Sequence, residues 1–100
     1  MTSEVPVFNK VIHAPQRLRV CAMLSGAQKV EFRLPEDHLG LSKPALSKHL
    51  TLLVEAGYVS QDRALRNSCN RLCLSPTPEG ARAYPAHVQA LRKIVATHDT

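Results

Sequence analysis

No stretch of about eighteen consecutive apolar residues occurs in the chain, which excludes a membrane-spanning helix. The opening MTSEVPVFNK lacks the basic and apolar regions of a secretory signal, so a cytoplasmic location is the expectation. Cysteine is scarce: Cys21, Cys69 and Cys73 are odd in number and form no CxxC pair, which argues against a disulfide framework and leaves reduced thiols as the default. Also missing are a glycine-rich phosphate loop, a nucleophile elbow and a pair of acids in an apparent cleft, so no enzyme class is indicated and no cofactor is expected. Internal repeats, low-complexity tracts and linkers are absent too. One hundred residues then suit one domain with a modest core and leave no room for a separate substrate domain.

What is present is positive charge. Thirteen Lys and Arg against eight Asp and Glu give a formal charge of +5 and a pI near 9.5, a balance that favours a polyanionic partner.

Residues 1–7 are polar, contain Pro6 and show no apolar period, so they read as a frayed arm before the domain proper at 8–100. Phe8, Val11, Ile12, Leu18, Cys21, Ala22 and Leu24 recur at helical spacing around Ala14-Pro15, which predicts a short helix, a break and a longer helix with Pro15 in its first turn. Gly26 is the expected stop, and Gln28 to Phe32 the expected strand. A brief helix follows, with Pro35, Glu36 and Asp37 in its first turn and Gly40 as the turn after it.

The segment from Ser42 to Ala56 carries the clearest helical pattern. Leu46, Leu50 and Leu53 fall at i, i+4 and i+7, Leu52, Val54 and Ala56 widen the stripe, Ser42 is the expected N-cap and Gly57 the expected end. Tyr58 to Ala64 and Arg71 to Leu74 alternate as strands of a hairpin, with Arg66-Asn67-Ser68 as turn chemistry. Thr77-Pro78-Glu79-Gly80 starts a last helix over 77–97, in which Tyr84, Val88, Leu91 and Val95 stand on one face. Pro85 removes one backbone hydrogen bond there and predicts a kink near Ala81 to Tyr84. The order helix, strand, helix, helix, hairpin, helix describes an α+β domain, mainly helical, with a small antiparallel hairpin.

Four pieces in this order resemble winged helix-turn-helix regulators of the MarR and ArsR type, and within them the short, MarR-like winged helix DNA-binding domain family. The residues that carry the resemblance are His13-Ala14-Pro15-Gln16-Arg17-Leu18-Arg19-Val20, Leu41-Ser42-Lys43-Pro44-Ala45-Leu46-Ser47-Lys48-His49-Leu50, Leu53-Val54-Glu55-Ala56-Gly57-Tyr58-Val59 and Leu74-Ser75-Pro76-Thr77-Pro78-Glu79-Gly80. They span nearly the whole chain. Two features depart from the family pattern: Pro85 in the last helix, and Cys69 and Cys73 on the wing.

The resemblance implies sequence-specific binding of double-stranded DNA by a homodimeric transcriptional regulator, more often a repressor, acting at an inverted-repeat operator. The N-terminal part of its second motif helix would enter the major groove. With Leu46, Leu50 and Leu53 turned inward, Lys43, Pro44, Ala45, Ser47, Lys48 and Thr51 turn outward, Lys48 and Ser47 being the leading base or phosphate readers. Ser42 caps the helix beside a phosphate site at its positive end. His49 either donates to a phosphate or packs at the rim of the core. Arg63, Arg66, Asn67, Asn70 and Arg71 fall on or near the wing, where no acid stands between Asp62 and Glu79. The last helix is the expected dimer contact through Tyr84, Val88, Leu91, Ile94 and Val95, with Phe8, Val11 and Ile12 completing the interface, unless that stripe packs within its own chain.

Two other readings stay open: a winged-helix module that binds protein, and a thiol-responsive regulator in which Arg66 and Arg71 activate Cys69, with Cys73 beside it. A metal site is not expected. The five His are scattered, His87 and His98 lack an accompanying Asp-x-His unit, and the ArsR-type metal patterns do not occur. No residue pattern names a small-molecule effector.

Overall fold

The computed structural model describes residues 8–27, 29–66 and 69–97, apart from the side chains of residues 64–66, 69–71 and 97. The expected N-terminal arm at 1–7 and His98 lie outside these residues. Asn9 Oδ1 accepts the Ile12 N–H at 3.0 Å, capping the four-residue helix α1 (Lys10–His13). Ala14 breaks the helix, and Pro15 opens α2 (Pro15–Leu24) at a position whose N–H has no helical partner to lose. The predicted helix, break and longer helix are all present.

The strand expected over 28–32 is shorter, β1 (Val30–Glu31). Phe32 instead becomes the N-cap of α3 (Arg33–Leu39), while its own N–H still reaches the Leu72 carbonyl at 2.9 Å. Helix α3 thus starts two residues before Pro35, which sits buried in the first turn where its missing N–H still costs nothing. Helix α4 (Lys43–Glu55) follows, with the Ser42 hydroxyl accepting the Ala45 N–H at 3.3 Å as its cap. It ends where Gly57 takes φ +85°, a left-handed turn that an L side chain resists.

The hairpin is longer than the sequence suggested: β2 (Val59–Arg66) and β3 (Cys69–Pro76) pair antiparallel from Val59 opposite Pro76 to Arg66 opposite Cys69. Arg66 is therefore a strand residue rather than part of the turn. β1 adds to the other side of β3, with Val30 opposite Leu74, so the sheet order is β1-β3-β2. Helix α5 (Pro78–Thr97) runs as one element through Pro85.

Ile12, Val20, Leu24, Leu46, Leu50, Leu53, Val59 and Leu74 form the core, each at most 3% exposed. The three leucines of α4 pack as their spacing predicts, and each fully buried leucine contributes about 1.5–3 kcal/mol. Leu52 does not join them. It is 40% exposed, because at 3.6 residues per turn it stands about 120° around the helix from that stripe. Ala56, also expected to widen the stripe, is exposed as well. The architecture is the α+β winged helix-turn-helix: helices α2 to α5 pack on a small antiparallel sheet, a hairpin follows the second motif helix, and a long helix follows the hairpin. Among the described residues no helix is long and apolar enough to cross a membrane.

Candidate nucleic-acid interface

The exposed face of α4 is built by the same spacing that buries its leucines. Lys43, Pro44, Ser47, Lys48 and Thr51 are exposed, and Ala45 and His49 are half-buried along the flank. Neither lysine is drawn into the core, so both ammonium groups stand in solvent beside the helix start. The phosphate site expected at that end is thinner than the sequence suggested. Pro44 has no N–H and the Ala45 N–H is given to Ser42, so the first turn offers an anion little beyond the Lys43 N–H. Thr51 donates its hydroxyl proton to the Ser47 carbonyl at 2.9 Å, leaving a methyl and acceptor lone pairs for any ligand.

His49 has a partner on another helix. The Nη1 of Arg17 in α2 lies 3.3 Å from His49 Nδ1, and Arg17 Nε donates to the Val11 carbonyl in α1. Burial, then the charges of Arg17 and Lys48, hold the imidazole pKa below its usual value. On the hairpin, Arg63 is exposed. The backbones of Arg66, Asn70 and Arg71 lie on β2 and β3, opposite Cys69, Leu65 and Ala64, while Asn67 lies outside the described residues. Asp62 is bound by Lys29 at 3.3 Å, both half exposed. That pair adds little stability, yet it counters the only acid of the hairpin and leaves the distal strands basic.

A family model described as winged helix DNA-binding domain matches residues 16–95, from α2 to near the end of α5. The chain belongs to that family.

Several solved structures share the fold over most of this domain. The transcriptional regulator homologue protein from Pyrococcus horikoshii superposes with a TM-score of 0.84 at 20% identity, over 90% of this chain and 89% of the other. The transcriptional repressor BigR from Xylella fastidiosa gives 0.62 at 24% identity, over 91% and 82%. A SlyA-like transcription regulator from Listeria monocytogenes gives 0.67 at 19%, over 89% of this chain and 58% of its own. At such identities the likeness is one of fold, and the MarR- and ArsR-type resemblance of the sequence agrees with it. No curated protein sequence matches the chain.

The expected dimer surface on α1 and α5 departs from expectation. Ile12, expected at a dimer interface, is 0% exposed, because α1 is clamped between α2, α4 and α5 and turns this side chain into the core. Val11 and Tyr84 are half-buried against that core, and Phe8, 39% exposed, lays its ring against His13 and His87 with centroids 4.7 and 4.8 Å away. The first half of α5 therefore packs within its own chain. Its second half packs only in part: Ala90 is 6% exposed and Val88 and Leu91 are half-buried, but Ile94 and Val95 are 47% and 62% exposed.

Between α1 and α5 lies a polar cluster that sequence reasoning missed. His87 is 0% exposed, its Nδ1 accepts the Asn9 N–H at 2.9 Å, and its Nε2 is 3.2 Å from His13 Nδ1. Asn9 Nδ2 also donates to the Tyr58 hydroxyl at 2.8 Å. An acceptor Nδ1 puts the His87 proton on Nε2, which then donates to His13. The only sequence signal was the apolar face on which His87 interrupts Tyr84 and Leu91. Among the described residues no group of three or more His, Cys, Asp or Glu is placed to hold a metal ion. Cys73 is 6% exposed within β3, and burial pushes the Cys21 thiol up to about 11 against the pull of Arg17, so neither is exposed for thiol chemistry. The Cys69 side chain is outside the described residues.

Proposed function

We propose that residues 8–100 act as one domain that binds double-stranded DNA sequence-specifically as a homodimer and regulates transcription by occupying a promoter. The observation that carries this reading is the division of α4: Leu46, Leu50 and Leu53 are at most 1% exposed, while Lys43, Ser47 and Lys48 face solvent on a helix narrow enough for the major groove. The basic hairpin supports wing contacts to the phosphate backbone. The uncovered end of α5, with Leu91, Ile94 and Val95, supports pairing of two copies through an apolar surface that one chain leaves open. Two recognition helices about 34 Å apart call for an inverted repeat with half-sites one turn apart. Repression is the sense favoured, in line with BigR, a transcriptional repressor of the same fold.

Selection of bound fragments from random DNA, followed by gel-shift on the enriched site, tests the proposal. The expected result is a palindromic site whose affinity falls with salt at a slope of about −0.9 per neutralised phosphate. Lys48→Ala should weaken the cognate site most, and Arg66→Ala all sequences about equally. No enrichment, with the chain monomeric at micromolar concentration, would reject it.

A further inference from the structure

We propose that Arg17 is a positioning residue for the recognition helix: its guanidinium fixes the His49 ring in the tautomer whose Nε2–H points outward as a donor to a DNA phosphate. This rests on the DNA-binding reading above and adds to it a residue outside the helix-turn-helix motif.

The tautomer follows from what a guanidinium can do. Arg17 Nη1 lies 3.3 Å from His49 Nδ1, and a guanidinium has only donors and does not deprotonate in proteins. Nδ1 must therefore accept and carries no hydrogen, so the neutral ring bears its hydrogen on Nε2. His49 is half-buried, yet among the described residues no buried side-chain nitrogen or oxygen lacks a hydrogen-bond partner. With no partner among the described residues, Nε2 reaches solvent. On α4 the ring stands on the flank shared with Ala45, beside the exposed face that holds Lys48, which is where a groove-bound helix meets the strand backbone rather than the bases.

Arg17 is itself held. Its Nε donates to the Val11 carbonyl, so one side chain joins α1, α2 and α4 and sets the His49 ring against two backbones. The charged groups acting on His49 are Arg17 from α2 and Lys48 from its own helix, both cationic, and with burial they favour the neutral ring. A protonated ring would turn an Nδ1–H toward the guanidinium, where no acceptor waits. The donor to DNA is thus present without a charge on His49, and acid disrupts the arrangement rather than strengthening it.

The test has two arms on the full chain. In the DNA-free protein, nitrogen NMR of the imidazoles should show the His49 Nε2–H tautomer in wild type, and in R17A a mixture of tautomers with a pKa moved upward toward the ordinary value. In gel-shift on the selected site, R17A and H49L should each weaken binding about fivefold or more, across cognate and random sequences alike, and the double variant no more than the worse single one. H49Q keeps an acceptor for Arg17 and an outward N–H, so it should bind within about twofold of wild type, consistent with one hydrogen bond retained. That variant keeps the inference testable should R17A fail to fold. An Nδ1–H tautomer in wild type, additive losses in the double variant, or H49Q as weak as H49L would overturn the inference while leaving DNA binding intact. A wild-type chain that retains no DNA at low salt would overturn the DNA-binding reading and the role of Arg17 with it.

Discussion

Gly80 provides a change whose sign depends on tertiary packing. It lies in the first turn of α5, where helix propensity alone makes Gly80→Ala stabilising by up to about 1 kcal/mol. The structure predicts the reverse. A Cβ at this position would stand 2.1 Å from the Tyr58 carbonyl oxygen and 2.9 Å from its carbon, both backbone atoms that cannot swing aside. A carbon settles against such an oxygen at about 3.3–3.6 Å, so the start of α5 must withdraw by about 1.2 Å. The Thr77 N–H donates to that same oxygen at 3.1 Å, and the Thr77 hydroxyl donates to the Gly57 carbonyl at 2.6 Å while accepting the Gly80 N–H at 3.0 Å. Withdrawal therefore strains three hydrogen bonds at one joint.

Overpacking of about 1–3 kcal/mol and the loss of one such bond at about 1 kcal/mol outweigh the propensity gain of about 1 kcal/mol. A net loss of about 1–3 kcal/mol remains. For a chain of this size that lowers Tm by about 4–8 °C per kcal/mol. Urea and thermal unfolding followed by circular dichroism, at matched protein concentration because any self-association couples stability to concentration, would measure it. A variant as stable as wild type, or more so, would refute the close approach of α5 to Tyr58.

Three further outcomes follow from the same packing. Ile12→Ala should cost about 2–5 kcal/mol of stability, the cost of a cavity in a core; a loss seen only as weaker dimerisation, with unchanged unfolding of the dilute chain, would restore Ile12 to an interface. Ser42→Ala should lower stability by about 1 kcal/mol through loss of the α4 cap, readable as a shifted urea midpoint with unchanged m-value, and no shift would contradict the capping geometry. Burial, with His13 beside it, holds the His87 pKa below its usual value, so the unfolded chain takes up protons there first; the stability this contributes is complete above about pH 6.5 and declines as pH falls toward the depressed pKa. The decline is at most about 1.4 kcal/mol per pH unit for this one group, and a wild-type urea midpoint no more pH-sensitive than that of His87→Gln would contradict it.

Local chemistry was legible in the sequence. Ser42, Pro15, Gly57 and the i, i+4, i+7 leucines of α4 announce their helix and its ends because caps, turns and one-sided burial depend on neighbours within a turn or two of chain. The outward placement of Lys43 and Lys48 follows from that same period, so much of the candidate interface was readable before any packing was known. The hairpin was readable in kind but not in length. Strand ends depend on how far a partner continues, and the turn chemistry of Arg66-Asn67-Ser68 marks a reversal of the chain without saying how close to it the pairing runs.

What the order of residues determined by itself is the set of elements, their succession and the polarity of each face, since these are properties of backbone geometry and side-chain chemistry over short spans. Only the tertiary structure decided which faces meet. Ile12 was pulled from a surface stripe into the core, His87 was paired with Asn9 and His13 across 78 and 74 positions, and Arg17 was brought to His49 across 32. Such pairs carry no local signature. Their energies exist only once the closure of a long loop has been met by the burial of the core, and no spacing along the chain encodes that joint event.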